Sequence, residues 1–450
     1  MFSKTRVAIF LTVFLVSPLV AQQSGLTLQQ AVAIALEKSP ARKLAAADIA
    51  AAEAGLRQSK APLLPQITFS ENVTRGDDPV YVFGAKLRQQ MFQASDFALN
   101  SLNRPTPLNN FSTGFSGRWI AFDSLHTRFQ IKRAALLKQS ASVSAGRTSQ
   151  EVIYSVISAY ESVLIAARKV EVAKHAVETA QALHDLSRNR VDAGLAVDSD
   201  VLSAKVDLAT RQQELIQARG SIQIAWVELE AAMGVSLPAS PDTLEQLSEH
   251  VFTTSPFADE VEQAFKNRPD LKSLALQISA QKAAVTGAKS EFGPRVDAFG
   301  SWQTDRSTFA GTAGNNWIAG AEVRVDLLPF EKRVQLQQEK TTLIRAQAGE
   351  EFARNKIRVE VSRAYFEHQS AGKMLEVARS TMAQAAESLR ILHTRYDAGL
   401  VTLTDVLRAE DADRESQSSY WQAVYRTVLS YAALRLATGT LTPDEMVNFQ

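Results

Sequence analysis

The sequence predicts a mainly α-helical protein with a small β part, built as two tandem copies of one plan. Three observations carry this. Residues 190–205, RVDAGLAVDSDVLSAK, return as residues 395–410, RYDAGLVTLTDVLRAE. The helical segments beside both copies space their apolar residues about 3.5 apart, the period of coiled coils rather than of a helix on a globular core. Each half also carries two candidate strands, of which the last, 315–328, shows the clearest alternation of apolar and polar residues. A repeat of this length is recognised first, because the fold is then one unit used twice.

The two copies share Arg190/Arg395, Asp192/Asp397, Ala193/Ala398, Gly194/Gly399, Leu195/Leu400, Asp200/Asp405, Val201/Val406, Leu202/Leu407 and Ala204/Ala409, at an offset of 395 − 190 = 205 residues. Each lies between two helical patterns and reads as the turn of an αα-hairpin. The glycine ends one helix in the left-handed conformation. Asp198 or Ser199 in the first copy, and Thr402 or Thr404 in the second, are placed to cap the next helix. A plain turn explains the glycine and the caps. It does not require Arg, Leu and Asp to recur as well, so both tips are candidate sites.

Taken in order, residues 1–21 form a secretory signal: Lys4 and Arg6, an apolar run from Val7 to Val16, then Ser17-Pro18 before Ala21. No later apolar run approaches the ~20 residues of a membrane helix. The exported chain is therefore soluble or held in a membrane by strands. A net charge of +1 excludes a basic surface for nucleic acid. The absence of cysteine excludes disulfides, thiolate zinc, thiol catalysis and lipid attachment through an N-terminal cysteine. Histidines 126, 175, 184, 250, 368 and 393 have no ligand spacing and read as surface helix residues. No cofactor, metal or catalytic constellation is expected.

A second correspondence pairs AVAIALEKSP (31–40) with EVEQAFKNRP (260–269), placing Pro40 on Pro269 at an offset of 229; Pro65 meets Pro294 at the same offset. The difference, 229 − 205 = 24 residues, is an insertion in the first half between 71 and 111. That segment is rich in Asn, Asp, Pro and aromatic residues and reads as a long excursion loop between two strands. The first repeat is thus 22–240, a connector 241–256, the second repeat 257–440 and a tail 441–450. Each repeat runs helix, strand, loop, strand, long helix, tip, long helix.

In the long helices Ile153, Val156, Tyr160, Val163, Ala167 and Val170 are spaced 3, 4, 3, 4, 3, and so are Leu375, Ala378, Met382, Ala385, Leu389 and Leu392. From Leu125 to Arg190 there is no proline and one glycine, Gly146, so that helix could run ~100 Å. Strands are expected at about 64–74, 111–123, 293–305 and 315–328. In the last, Trp317, Ala319, Ala321, Val323, Val325 and Leu327 alternate with Gly320, Glu322, Arg324 and Asp326; the third is mixed. A soluble half-buried sheet would alternate in the same way. Four strands, however, cannot close a membrane barrel, which needs about eight, and an open edge is forbidden in lipid. Strands in a membrane would therefore have to be shared between chains. After the second tip, Glu410, Asp411, Asp413 and Glu415 read as a solvated or channel-lining face.

Together the signal, the tandem halves and the motif RxxxGLxxxxDVLxA at both tips resemble the TolC-like outer-membrane efflux family over nearly the whole mature length. The resemblance implies a homotrimer: a shared twelve-stranded barrel in the outer-membrane lipid, above a periplasmic coiled-coil α-barrel closed at its tips. It implies a passive exit duct of a tripartite efflux pump or of type I protein secretion, not an enzyme. A periplasmic adaptor (membrane fusion protein) would dock at the tips, and an inner-membrane transporter of RND, ABC or MFS type would supply energy. A soluble periplasmic adaptor would need a lipoyl-like β-domain, which is not evident; an exported enzyme would need a catalytic constellation. Leu195 and Leu400, beside Gly194 and Gly399, are either local hairpin contacts or docking anchors, with Arg190 and Arg395 adding hydrogen bonds to the adaptor. For the gate, the resemblance implies a bond from Tyr396 to Asp200. A second family link keeps its hydroxyl at Ser199 but has Val401 where the arginine would be. Of two acidic rings, Asp405 matches the first, while Arg408 stands at the second and should lower cation selectivity. Alternatively, Asp405 simply caps its helix.

Overall fold

The computed structural model describes residues 26–237, 244 and 247–449; the signal segment lies outside them. The entry helix of each repeat is two helices rather than one. In the first half α1 (Leu28–Lys38) gives way to α2 (Pro40–Ser59) at Ser39. A proline lacks the N–H needed to continue a helix and is favoured at the start of one. Thr27 opens α1 with a capping box: its hydroxyl accepts from the Gln30 N–H while its own N–H donates to the Gln30 side chain, both at 3.2 Å. Then come β1 (Gln66–Gly76), α3 (Pro79–Arg88), α4 (Leu99–Asn103), β2 (Leu108–Phe122), the 67-residue α5 (His126–Asp192) and α6 (Asp198–Met233). The second half repeats this with α7 (Phe257–Asn267), α8 (Pro269–Ser290), β3 (Arg295–Arg306), β4 (Ala313–Arg324), the 68-residue α9 (Phe330–Asp397) and α10 (Leu403–Thr438).

The internal symmetry extends beyond the tips. Gly234 and Gly439, again 205 apart, end α6 and α10 at φ 72°. A Cβ on Gly234 would press Pro40 Cδ at 2.9 Å and the Lys38 carbonyl at 3.1 Å; one on Gly439 would press Arg268 backbone at 2.8 and 2.9 Å. Each returning helix thus ends against the Pro break of its own repeat, and only glycine fits both the φ and the space.

The core lies where these ends meet. Ile153, Val156, Tyr160 and Val163 of α5 are buried there with Leu28, Val32, Leu229, Met233 and Val428. The same heptad pattern in α9 buries Leu375 but leaves Ala378, Met382, Ala385, Leu389 and Leu392 half-covered within one chain. Residues 441–449 are no free tail: Leu441 and Phe449 enter the core, and Phe252 of the connector stacks on Tyr431 at 4.2 Å. His368 is not a surface residue but buried against Ser430, and burial, with Arg435 nearby, lowers its pKa. His250 lies in the connector rather than on a helix. Among the described residues no His, Asp and Glu group could hold a metal, and no helix is long and apolar enough to cross a membrane.

The strands form one antiparallel sheet in the order β1-β2-β3-β4. Phe69, Phe115, Trp302 and Trp317 stand in register across all four strands. Their face also carries Ile67, Val73, Trp119, Val296, Ala298, Ala319, Ala321 and Val323; the opposite face carries Thr68, Ser70, Asn110, Ser112, Asp297, Gln303, Asp305 and Asn316. The third strand looked mixed because Phe299 stands among the polar residues of this second face. β4 ends at Arg324, so Val325 and Leu327 lie beyond it, in the approach to α9. The excursion expected as a loop contains α3 and α4: Pro79 starts α3 and the Asp78 carboxylate caps it, accepting from the Tyr81 N–H at 2.8 Å.

Candidate functional site: the helical tips

At both tips the chain closes with the same pair of bonds. Gly194 N–H donates to the Val191 carbonyl at 2.9 Å and Leu195 N–H to that of Arg190 at 2.8 Å; Gly399 and Leu400 repeat this to Tyr396 and Arg395 at 3.0 and 2.9 Å. This motif requires a left-handed residue, and the glycines have φ 73° and 74° with open space where a Cβ would be. The leucines that follow are turned outward, 79% exposed at Leu195 and 73% at Leu400.

The tips differ in how the next helix begins. In the second, the Thr402 hydroxyl accepts from the Asp405 N–H at 3.3 Å and donates to the Asp405 carboxylate at 2.6 Å, while the Thr402 N–H donates to that carboxylate at 3.0 Å. These bonds, and then the Arg408 charge, hold the Asp405 carboxyl below its usual range. Asp405 is therefore a capping residue, whatever else it does. In the first tip the cap position falls on Val197, the counterpart of Thr402, so the expected caps from Asp198 and Ser199 are not formed. Asp198 and Asp200 instead lie in the first turn, where the helix dipole favours negative charge.

One side chain joins the tips. Arg190 of α5 donates to the Tyr396 carbonyl at 3.0 Å and to the Asp397 carbonyl at 3.5 Å, lies 3.6 Å from the Asp397 carboxylate, and places its guanidinium 4.2 Å from the centre of the Tyr396 ring. That ring is buried with Leu183, Ala204, Leu403 and Val406, and Val401 packs against the cluster. Within the chain the Tyr396 hydroxyl makes no hydrogen bond to Asp200 among the described residues. Arg190 is already engaged, whereas Arg395 is exposed, with no side-chain partner among the described residues. Ser199 and Arg408 are exposed.

Further along α6 and α10 sits a clamp that the sequence reading passed over. Buried Arg211 of α6 pairs with Asp207 at 2.7 Å, Glu214 at 3.2 Å and Asp411 of α10. Arg414 binds Asp411 at 2.9 Å and Glu214 at 3.4 Å, and His393 binds Glu410 at 3.2 Å. Burial would raise the pKa of Asp411, but Arg414 and Arg211 hold it low; burial raises that of Glu410, with His393 opposing. The acidic run is thus partly neutralised across helices. The spacing of Asp207, Arg211 and Glu214 along one helical face was the available signal.

Residues 31–235 and 261–440 match the family model described as Outer membrane efflux protein. The chain belongs to the outer membrane efflux protein family. The family's members are passive channels, and this chain is not an enzyme. It is 25% identical over 417 residues to Protein CyaE of Bordetella pertussis, covering 91% of this chain and 82% of that one. It is 22% identical over 309 residues to the alkaline protease secretion protein AprF of Pseudomonas aeruginosa, 66% of this chain and 63% of AprF. Its fold is that of the CmeC outer membrane channel of Campylobacter jejuni, with a TM-score of 0.76 at 17% identity over 93% of this chain and 88% of that one.

Proposed function

We propose that three copies of this outer membrane efflux protein form a passive exit duct whose twelve strands share one barrel and whose tips meet a periplasmic adaptor. One observation carries this: a four-stranded sheet with an apolar face, a polar face and open edges at β1 and β4. Lipid tolerates the apolar face but not the edges, so β1 of one chain must pair with β4 of another. Three chains of four strands exceed the minimum of about eight for closure. Detergent extraction tests the reading. A trimer that needs detergent supports it, and a buffer-soluble monomer refutes it.

At the tips, Leu195 and Leu400 are the docking anchors and Arg395 supplies hydrogen bonds to the adaptor. Arg190 instead ties the two hairpins of one chain together and resists opening. The inner-membrane transporter supplies the energy. The likeness to AprF, an alkaline protease secretion protein, supports a second assignment, export of a polypeptide in type I secretion. A null strain distinguishes them: loss of one secreted protein from the medium supports secretion, and accumulation of dyes or drugs with normal secretion supports efflux.

A further inference from the structure

The segment between β1 and β2 is a folded piece with its own packing. Phe92 lies 4.8 Å from Phe83 and 5.1 Å from Phe97, Lys86 pairs with Asp96 at 2.7 Å, and Val82 and Ala85 are buried. Its helix α3 is laid across the sheet rather than projecting past it. At one end the Tyr81 ring sits 3.5 Å from where a Cβ of Gly76 would be, and its hydroxyl donates to the Thr74 carbonyl at 3.0 Å. At the other, the Arg88 carbonyl occupies the place of a Cβ on Gly314 and accepts from Asn316 at 3.1 Å. Between them the buried Gln89 amide donates to the Asn110 side chain at 2.8 Å, and Asn110 donates to buried Asp305 at 2.8 Å.

Gly76, Asn110, Asp305, Gly314 and Asn316 all belong to the polar face of the sheet, and all lie near the end remote from the long helices. Along β2, Asn110, Ser112 and Gly114 are covered on this face, whereas Ser116 and Arg118 are exposed. The helix therefore spans the sheet from β1 to β4 on the side away from lipid. Gly314 leaves room for its far end, where any Cβ would meet the Arg88 carbonyl; at the near end a Cβ on Gly76 would only touch the Tyr81 ring.

We propose that this excursion is an inward-folded cap that narrows the outer mouth of the duct and limits the size of what passes. The proposal rests on the shared-barrel reading, in which the polar face lines the lumen; three copies would then each place α3 across the same opening. Seating depends on the Gln89–Asn110–Asp305 chain of hydrogen bonds and on the missing Cβ at Gly314. An alanine there would collide with the Arg88 carbonyl and lift α3 while leaving the strand pairing intact.

Because the chain has no cysteine, Ser116→Cys places a single thiol on the polar face below the cap. Intact cells are treated from outside with a small membrane-impermeant maleimide, or with a maleimide carried on a large polyethylene glycol. With the native cap the small reagent should label and the large one should not. With Gly314→Ala added, the large reagent should label as well, at an unchanged trimer level. A chain whose residues 79–103 are replaced by a linker as short as 307–312 should behave the same way. Equal labelling by the large reagent with the native cap in place overturns the cap, as does its continued exclusion from the shortened chain. If the small reagent fails to label Ser116→Cys in the shortened chain, or labels Ala319→Cys on the apolar face equally well, the barrel reading itself falls and the cap with it.

Discussion

Glu161 follows Tyr160 on α5 and is 4% exposed. Its Oε2 has no hydrogen-bond partner among the described residues, and its neighbours one helical turn away are Ile157, Leu164 and Ile165. Burial pushes its pKa up from 4.5 to about 8. Between those values the folded chain holds a proton that the unfolded chain has released, so the Glu161 contribution to stability is fullest below pH 4.5 and is lost as pH rises toward 8. At pH 7 the gap above 4.5 is 2.5 units, a linked cost of about 3 kcal/mol per chain at about 1.4 kcal/mol per unit. Glu161→Gln has nearly the same shape and stays neutral, so it removes this cost and its pH slope. The assay is thermal unfolding of the detergent-solubilised protein at steps from pH 5 to 8. The variant should unfold at a higher temperature than the native chain, by a margin that widens with pH. A margin that stays flat, or a variant less stable at pH 8, would mean that the carboxylate is ionised and partnered, refuting the reasoning.

Changing Leu195 and Leu400 together to Ser should abolish transport while trimer level and melting temperature stay unchanged, because both side chains cover little of their own protein; a fall in stability would make them hairpin contacts. Ala319→Asp puts a charge on the apolar face at the middle of β4 and should cost about 2 kcal/mol, whereas Val323→Asp, one residue from the strand end, should cost less; both are read as loss of membrane-inserted trimer. The same residue at Glu322, on the other face, should be silent. Arg190→Met removes the bonds to the second tip, each worth about 1 kcal/mol or more, and should raise open probability in planar bilayers. Tyr396→Phe keeps the ring under Arg190 and should change it little; a large rise would restore the bond to Asp200. Arg408→Asp should raise cation selectivity in the same recording, and an unchanged reversal potential would place the constriction elsewhere.

The tips were legible because their determinants are local. A glycine at positive φ, the leucine after it and the polar start of the next helix all lie within one short stretch, and the repeat exposed them twice. The coiled-coil spacing of α5 and the alternation of β4 are likewise written in neighbouring residues; the break at Pro40 and Pro269 is equally local, but the sequence reading has one helix per repeat there. The family resemblance rests on the tip motif together with the signal, the tandem halves and the placement of the strands, and the family model matches residues 31–235 and 261–440. What the sequence left open needed partners far away along the chain. Gly234 and Gly439 look like ordinary helix ends until α6 and α10 are seen to end on the proline breaks. Arg190 reads as a surface arginine until the second tip, some 200 residues on, brings Tyr396 beneath it. Glu161 fits a solvated helix pattern, and only the packing of α5 in the core removes its water. The segment between β1 and β2 reads as a loop although Pro79 and Asp78 mark a helix start, and the face that helix covers has no local signal, because Gly314 and Asp305 come from the other half. Backbone conformation is set over a few residues; burial and charge pairing are set by whichever segments the completed fold brings into contact.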